Sequence, residues 1–207
     1  MKKFYIIRHG ETEYNKMGMV QGSGINAPLN ETGEKQAEAF YQAYKDLKFD
    51  KIYVSNLIRT EQSVQKFIDA GTPYEVLSDL REISWGIQEG VAFTPETSTI
   101  YQQTAKAWRS GNIDARIEGG ETPEEVARRQ KKAFEYILSQ PNEESILICT
   151  HVRGMRILLC WMLNYPLSHM DNFGHTNTGL YVVIYNDGQF RIDLLNKTDH
   201  LIDLQVH

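Results

Sequence analysis

Long apolar runs, cysteine and excess positive charge are all scarce in this sequence. No stretch reaches the length of a transmembrane helix, and only four apolar residues separate Lys3 from Arg8, which is too short for a signal peptide. The two cysteines, Cys149 and Cys160, lie in apolar runs without the spacing of a metal site or a disulfide framework. We therefore expect a cytoplasmic protein with buried free thiols.

The charge and composition narrow the class of protein further. A net charge of −5 provides no broad basic field, which argues against a nucleic-acid or membrane-surface partner. Any bound anion must then be held by a focused local cluster. The hydrophobic content of 41% and the absence of repeats or linkers are typical of one globular domain over residues 1–207, and the oligomeric state stays open.

Short apolar runs alternate with helical patterns along most of the chain. The runs cover residues 4–7, 51–54, 73–76 and 145–150. Helical patterns follow them, with Thr32 as the expected N-cap of one helix and Thr122 opening a capping box with proline next to it. Strand-helix alternation of this kind predicts an α/β three-layer sandwich with a mostly parallel central sheet flanked by helices.

Two segments depart from that alternation. The alternating apolar residues on either side of Asp187-Gly188 predict a C-terminal antiparallel hairpin at the sheet edge. Residues 91–118 spread aromatic side chains through a polar stretch, and we expect them to form a lid containing one helix.

Basic residues lie at the strand exits or just after them. Arg8 and His9 follow the first strand, and His151 follows the run at 145–150. Arg59 lies in the first turn of a helix, where the dipole disfavours cations, which suits a residue aimed at an anion, although on this observation alone it could equally face solvent. If the strands are parallel neighbours, these groups converge at one edge of the sheet and make a compact anion pocket.

The same residues belong to an ordered set of motifs. In chain order these are Arg8-His9-Gly10-Glu11-Thr12, Asn15, Gln21-Gly22, Pro28-Leu29, Gly33, Gln36-Ala37, Ser55 to Thr60, Leu80-Arg81-Glu82, Gly86, Glu89-Gly90, Gly119 to Thr122, and Thr150-His151. With this set the sequence resembles the histidine phosphatase superfamily, in its phosphoglycerate-mutase-like branch. The resemblance covers about residues 4 to 160.

The resemblance implies roles for individual residues. His9 corresponds to the histidine that attacks phosphorus and becomes phosphohistidine. Arg8, Arg59 and His151 match the phosphate clamp, which neutralises charge on the non-bridging oxygens. The positions of Asn15 and of Gln21-Gly22 also match phosphate-binding positions.

Glu82 corresponds to the general acid of the family. It would protonate the leaving alkoxide and then take a proton from the hydrolytic water, and an incoming phosphate dianion would favour its neutral form. Glu89 is the competing carboxylate, but its position between glycines favours a structural role. The resemblance implies no metal or other cofactor, because the arginines supply the charge a metal would bring.

The match with the family is incomplete at two places. Relatives commonly carry two glycines after the second histidine, whereas Val152 and Arg153 stand here, and we expect Arg153 to face solvent. Relatives also often have an arginine just before Gln21, where this chain has Met19-Val20. That loop would contribute less charge, which argues against a sugar bisphosphate that needs a second basic site.

The remaining histidines show no metal-ligand pattern, because no carboxylate or thiolate partners lie at ligand spacing. We expect His175 at the pocket rim and His169, His200 and His207 at the surface.

Three functions remain open from the sequence. A phosphatase acting on a small phosphomonoester fits best, since the lid carries only Lys106, Arg109 and Arg116 as basic residues. A phosphoglycerate mutase uses the same phosphohistidine chemistry but needs more basic groups to hold the substrate carboxylate and exclude water. A non-catalytic phosphoryl-binding module is disfavoured, because both His9 and Glu82 are present. The sequence does not identify the substrate.

Overall fold

A computed structural model describes residues 1–95 and 97–204. The strands are β1 (Lys2–Arg8), β2 (Lys51–Val54), β3 (Tyr74–Val76), β4 (Ser145–Thr150), β5 (Leu180–Asn186) and β6 (Gln189–Lys197). The α-helices are α1 (Glu13–Lys16), α2 (Glu31–Tyr44), α3 (Ile58–Asp69), α4 (Ser98–Arg109), α5 (Pro123–Ser139) and α6 (Val152–Met162). Short 3₁₀ helices cover Ser78–Leu80, Gly86–Gln88, Leu167–Asn172 and Asp199–Leu204. None of the helices in these ranges is long and apolar enough to cross a membrane.

All the strands belong to one sheet with the order β3-β2-β4-β1-β5-β6. The first four in that order are parallel to one another, whereas β5 is antiparallel to β1 and β6 is antiparallel to β5. This arrangement confirms the predicted mostly parallel sheet with a C-terminal antiparallel pair. In the register of the central strands Arg8 pairs with Thr150 and Val54 with Cys149, so β1, β4 and β2 end at one edge.

The sheet is covered on both faces, which confirms the three-layer sandwich. Phe4 and Ile6 of β1 pack on one face in a cluster that includes Phe134 of α5 and side chains of α6. Ile7 faces the other side and packs in a cluster that includes Phe40 of α2 and side chains of α3. Successive side chains of a strand point to opposite faces, so a run of apolar residues is what a strand buried on both faces requires.

Helix α2 begins two residues earlier than its predicted N-cap implies. Asn30, not Thr32, is the N-cap, and its side chain accepts a 2.9 Å hydrogen bond from the N–H of Gly33. Asn30 takes this role because its backbone is extended, whereas Thr32 already lies inside the helix. A Cβ at Gly33 would lie 2.1 Å from the carbonyl oxygen of Glu11, so the absence of a side chain lets α2 pack directly on the loop after β1.

The other local predictions are confirmed. Thr122 accepts a hydrogen bond from the N–H of Glu125, whose carboxylate accepts one from the N–H of Thr122, as a capping box requires. The hairpin between β5 and β6 turns through Asp187 and Gly188 with φ values of 50° and 81°. Segment 91–118 contains helix α4, as expected.

Candidate active site

The strand ends bring the predicted basic residues together. The N–H of His9 donates a 3.0 Å hydrogen bond to the carbonyl of Thr150, which continues the β1–β4 pairing past the end of β1. The imidazole rings of His9 and His151 consequently lie with their centroids 5.1 Å apart. Arg59 lies in the first turn of α3, the helix that follows β2, and its side chain contacts His151. The parallel arrangement therefore gathers all three strand-exit groups into one cluster.

His9 is held as a neutral imidazole with one nitrogen left for a ligand. Its Nδ1 lies 2.7 Å from the carbonyl oxygen of Gly10, and because a carbonyl can only accept, Nδ1 must carry the proton. Within the described residues Nε2 makes no hydrogen bond. Burial, followed by the charges of Arg59 and Arg8, holds the pKa of His9 well below its ordinary value, so Nε2 is unprotonated at neutral pH.

Arg59 and His151 form a fully buried pair behind the cavity. The Nε of Arg59 donates to Nδ1 of His151 at 3.3 Å, so Nε2 of His151 carries the proton and donates to the hydroxyl of Ser55 at 2.8 Å. The guanidinium also donates to the carbonyls of Ile25 at 2.6 Å and Gly22 at 3.4 Å. Burial lowers the pKa of Arg59 to about 10, but this is still well above neutral pH, so Arg59 remains charged.

Glu82 lies against the beginning of helix α6. Its Oε1 accepts hydrogen bonds from the N–H groups of Ile83 at 2.9 Å and Gly154 at 2.8 Å, and its Oε2 accepts one from Arg153 at 3.1 Å. The amides of Arg153 and Gly154 belong to the first turn of α6 and have no partner inside the helix. The carboxyl group is thereby fixed in orientation, and Glu82 is only 4% exposed.

Arg129 of α5 holds the backbone that carries Glu82. Its guanidinium donates to the carbonyls of Asp79, Arg81 and Glu82 over 2.7 to 3.1 Å. It also makes a two-pronged ion pair with Glu121, at 2.9 and 3.0 Å. Arg129 was not predicted from the sequence, because the backbone carbonyls that it holds lie 47 to 50 positions away in the chain.

Of the two candidate carboxylates, Glu82 lines the cavity and Glu89 does not. Glu89 instead accepts hydrogen bonds from the N–H of Trp85 at 2.9 Å and the N–H of Gly24 at 2.8 Å. A Cβ at Gly22 would lie 2.1 Å from its carboxylate oxygen. Glu89 therefore joins two loops, which agrees with the structural role expected from its glycine neighbours.

The cavity at this edge of the sheet has a volume of about 180 Å³. It is lined by Arg8, His9, Asn15, Met19, Val20, Gln21, Glu82, Trp85, Phe93, Tyr101, Val152, Arg153, Arg156 and His175. Five of the sequence-predicted residues are in this lining, while Gly22, Arg59 and His151 lie behind it. Phe93 and Tyr101, from segment 91–118, form an aromatic wall with Trp85.

Arg8 and Gln21 are among the lining residues that have a hydrogen-bond donor without a partner. Arg8 donates one bond to the carbonyl of His175 at 3.1 Å, but its Nε is buried and unpaired. The amide nitrogen of Gln21 is also buried and unpaired, while its oxygen accepts from Thr12 and Asn15. Burial lowers the pKa of Arg8 to about 10, so it stays charged. Unpaired donors and a cation at one cavity are the chemistry of an anion site.

Arg153 is buried, so the expectation that it faces solvent is wrong. Its guanidinium donates to Asp171 at 2.6 Å and to the hydroxyl of Tyr101 at 3.1 Å. It also lies 5.7 and 5.4 Å from the ring centroids of Trp85 and Trp108. These partners are distant in sequence, so the local sequence pattern could not show that Arg153 is buried. The one feature of the sequence that indicated a special role was a large side chain where relatives carry glycine.

The histidines of the C-terminal region differ in their positions. His175 lines the cavity, as predicted, and burial and the charge of Arg8 lower its pKa to about 4. His169 is exposed, as expected. His200 is not a surface histidine, because it is partly buried and packs against α2. His207 lies outside the described residues.

Across residues 1–95 and 97–204, no group of three or more His, Cys, Asp and Glu side chains is arranged to hold a metal ion. Cys149 and Cys160 are buried free thiols, as predicted. Burial raises the pKa of both, that of Cys160 to about 12, so neither is a thiolate at neutral pH.

Comparison with known proteins agrees with this geometry. Residues 4–198 match the model of the histidine phosphatase superfamily (branch 1). The chain is 29% identical over 208 residues to phosphoserine phosphatase 1 of Hydrogenobacter thermophilus, covering 100% of this chain and 97% of that protein. It is 32% identical over 167 residues to a protein of Erwinia tasmaniensis named "Probable phosphoglycerate mutase GpmB", covering 80% and 77% of the two chains. The crystal structure of phosphoserine phosphatase from Entamoeba histolytica with 3-phosphoglyceric acid is similar with a TM-score of 0.85 and 27% identity, covering 98% and 100%.

Proposed function

The chain belongs to the histidine phosphatase superfamily, whose general mechanism is phosphohistidine chemistry, and we propose that it hydrolyses a small phosphomonoester without a metal ion. The observation that carries the proposal is the state of His9. Its Nδ1 is fixed by Gly10 and its Nε2 is unprotonated and free of hydrogen bonds within the described residues. Glu82 and Arg8 line the same cavity.

In the first step Nε2 of His9 attacks phosphorus and a phosphorus–nitrogen bond forms as the bond to the leaving oxygen breaks. The electron pair of that bond goes to the leaving oxygen, which takes a proton from Glu82. In the second step Glu82 accepts a proton from water, whose oxygen attacks phosphorus. The phosphorus–nitrogen bond breaks and its electron pair returns to Nε2 of His9, so inorganic phosphate leaves and the neutral His9 and the protonated Glu82 are regenerated.

We assign stabilisation of the transferred phosphoryl group to the surrounding donors. The unpaired Nε of Arg8 and the amide nitrogen of Gln21 are available to the non-bridging oxygens, with Asn15 beside them. Arg59 and His151 lie behind His9, where the charged guanidinium of Arg59 keeps the local potential positive and the neutral imidazole of His151 helps to hold the cluster in place. Arg59 uses three of its five N–H donors on protein partners, whereas His151 reaches a phosphoryl oxygen directly only if its Nε2–H exchanges Ser55 for the substrate.

We favour hydrolysis over the mutase reaction because segment 91–118 contributes no basic side chain to the cavity lining. Among its basic residues, Arg109 pairs with Asp171 and Arg116 pairs with Glu125. A mutase must hold its intermediate away from water, which calls for groups that retain the substrate over the site. The mutase remains the second candidate, because a relative carries that name.

The remaining assignments are part of the same proposal. Segment 91–118 acts as a lid whose Phe93 and Tyr101 contribute to specificity, within a single domain. The partner is a phosphorylated small molecule, not a nucleic acid or a membrane, since the net charge is −5. The buried free thiols Cys149 and Cys160 suit the reducing cytoplasm.

The test is phosphate release in the presence of chelator from p-nitrophenyl phosphate, sugar phosphates, phosphoserine and 3-phosphoglycerate. We expect release by the wild type and none by His9→Ala. Isomerisation of phosphoglycerate after priming with a bisphosphate, without phosphate release, would favour the mutase instead. Release that survives in His9→Ala would contradict the mechanism.

A further inference from the structure

We infer that Arg153 and Arg156 form a second anion subsite, so that the substrate carries another anionic group besides the transferred phosphoryl group. The substrate class would be a compact phosphomonoester with a carboxylate or a second phosphate. This inference rests on the proposed function for its reaction, but the subsite itself is argued from charge and contacts. These two arginines would supply the second basic site that the loop at Met19-Val20 lacks.

The charges around Asp171 do not balance. Its carboxylate is shared by three guanidinium groups, those of Arg153 at 2.6 Å, Arg156 at 3.0 Å and Arg109 at 3.2 Å. The Arg109 side chain is 54% exposed, so water solvates it, whereas the side chains of Arg153 and Arg156 are 5% and 14% exposed. One carboxylate cannot neutralise both the buried cation of Arg153 and the largely buried cation of Arg156, and an uncompensated charge that is shielded from water is costly. A bound anion would supply the missing negative charge.

Both arginines also have donors left over. The Nε of Arg153 is buried without a partner. Arg156 donates through Nε to the carbonyl of Phe173 and through Nη1 to Asp171, and its Nη2 has no acceptor in the described part of the chain. Both side chains line the cavity that contains His9. An anion bound to them would therefore belong to the molecule whose phosphoryl group lies at His9.

A purely structural role explains only part of these contacts. Arg153 does join α4 to the Asp171 region through the hydroxyl of Tyr101, and its guanidinium lies beside the rings of Trp85 and Trp108. Such contacts hold the guanidinium in one orientation, which lowers the entropic cost of binding an anion. They do not require Arg156 to be buried at the same carboxylate.

The size of the cavity limits the substrate. Its volume of about 180 Å³ is below the roughly 300–1,000 Å³ usual for small-molecule pockets. The two anionic groups must therefore be separated by only a few bonds.

The test measures binding by calorimetry in the His9→Ala background, where no turnover occurs, and hydrolysis by the wild type in parallel. The probes are two pairs that differ in one anionic group: 3-phosphoglycerate with glycerol 3-phosphate, and glycerol 1,3-bisphosphate with glycerol 3-phosphate. We expect the member with the second anionic group to bind about 10- to 100-fold more tightly in at least one pair, as for a hydrogen-bonded charge. The preferred pair shows whether the second group is a carboxylate or a phosphate.

Arg153→Gln and Arg156→Gln should each reduce that ratio to within about threefold of unity. Arg109→Gln is the matched control, because Arg109 shares Asp171 but does not line the cavity, and it should keep the ratio. Thermal unfolding checks folding, and if Arg153→Gln does not fold, Arg156→Gln decides. A ratio near one in the parent, or one that Arg109→Gln reduces as much as the other two, would overturn the subsite. A retained ratio without hydrolysis by the wild type would sink the proposed function and leave the subsite standing.

Discussion

The substitution Glu82→Gln separates the two steps of the proposed reaction. It keeps the shape of the side chain but removes the proton that the leaving oxygen needs. Loss of a positioned general acid typically costs about 10²- to 10⁴-fold, so we expect a fall of that size in kcat/KM for sugar phosphates and other alkyl phosphates. An alkoxide is a poor leaving group, which is why these substrates depend on the acid.

With p-nitrophenyl phosphate the expected result is different. Nitrophenolate leaves without protonation, so phosphohistidine should form rapidly in the variant, whereas hydrolysis should be slow because Glu82 no longer activates water. Stopped-flow absorbance should therefore show a burst of about one nitrophenol per active site, followed by slow turnover. Equal losses for alkyl and nitrophenyl substrates, with no burst, would refute the assignment of Glu82.

The same substitution should also lower stability. The carboxylate accepts three backbone N–H bonds, and an amide offers one oxygen and an NH₂ group that opposes the remaining N–H donor. Leaving a buried N–H donor without an acceptor costs about 1–3 kcal/mol, and we expect a loss of that order in urea unfolding. Glu89→Gln is the control: Glu89 lies outside the cavity, so that variant should show no dependence on leaving group.

Two further predictions concern stability. Burial holds the pKa of His9 and His151 well below the ordinary value of about 6.5, so the unfolded chain binds protons more readily than the folded chain. Thermal stability should therefore fall as the pH drops below about 6.5. A melting temperature that rises from pH 7 to pH 5 would contradict this. Arg129→Met removes one of the two cations that pair with Glu121 and three hydrogen bonds to the backbone around Glu82; it should cost about 1–3 kcal/mol in urea unfolding and reduce activity, whereas Arg128→Met at an exposed position should change neither.

The strand exits were predictable because their signals are local. A run of apolar residues followed by a polar cluster marks where a buried strand ends, and parallel pairing then brings His9 and His151 together. The position of Glu82 could be placed only through the family resemblance. Its contact with the amides of α6 depends on residues about 70 positions away in the chain.

The errors have the same physical origin. Arg153 reads as a surface residue because its partners Asp171 and Tyr101 come together only in the folded chain. The N-cap of α2 was misplaced because Asn30 and Thr32 are both good capping residues, and the packing of Gly33 on the preceding loop decides between them. Local propensity cannot resolve a choice that tertiary contacts make.

The most direct test of the proposed phosphohistidine mechanism is to identify the phosphorylated residue. Wild-type protein is mixed with a substrate from the panel, quenched in alkali, in which phosphohistidine is stable, and analysed by intact mass and by peptide mapping. We expect one phosphoryl group on the peptide that contains His9. This group should be labile in acid and absent from His9→Ala. A phosphoryl group on another residue, or turnover with no phosphorylated protein under any quench, would contradict it.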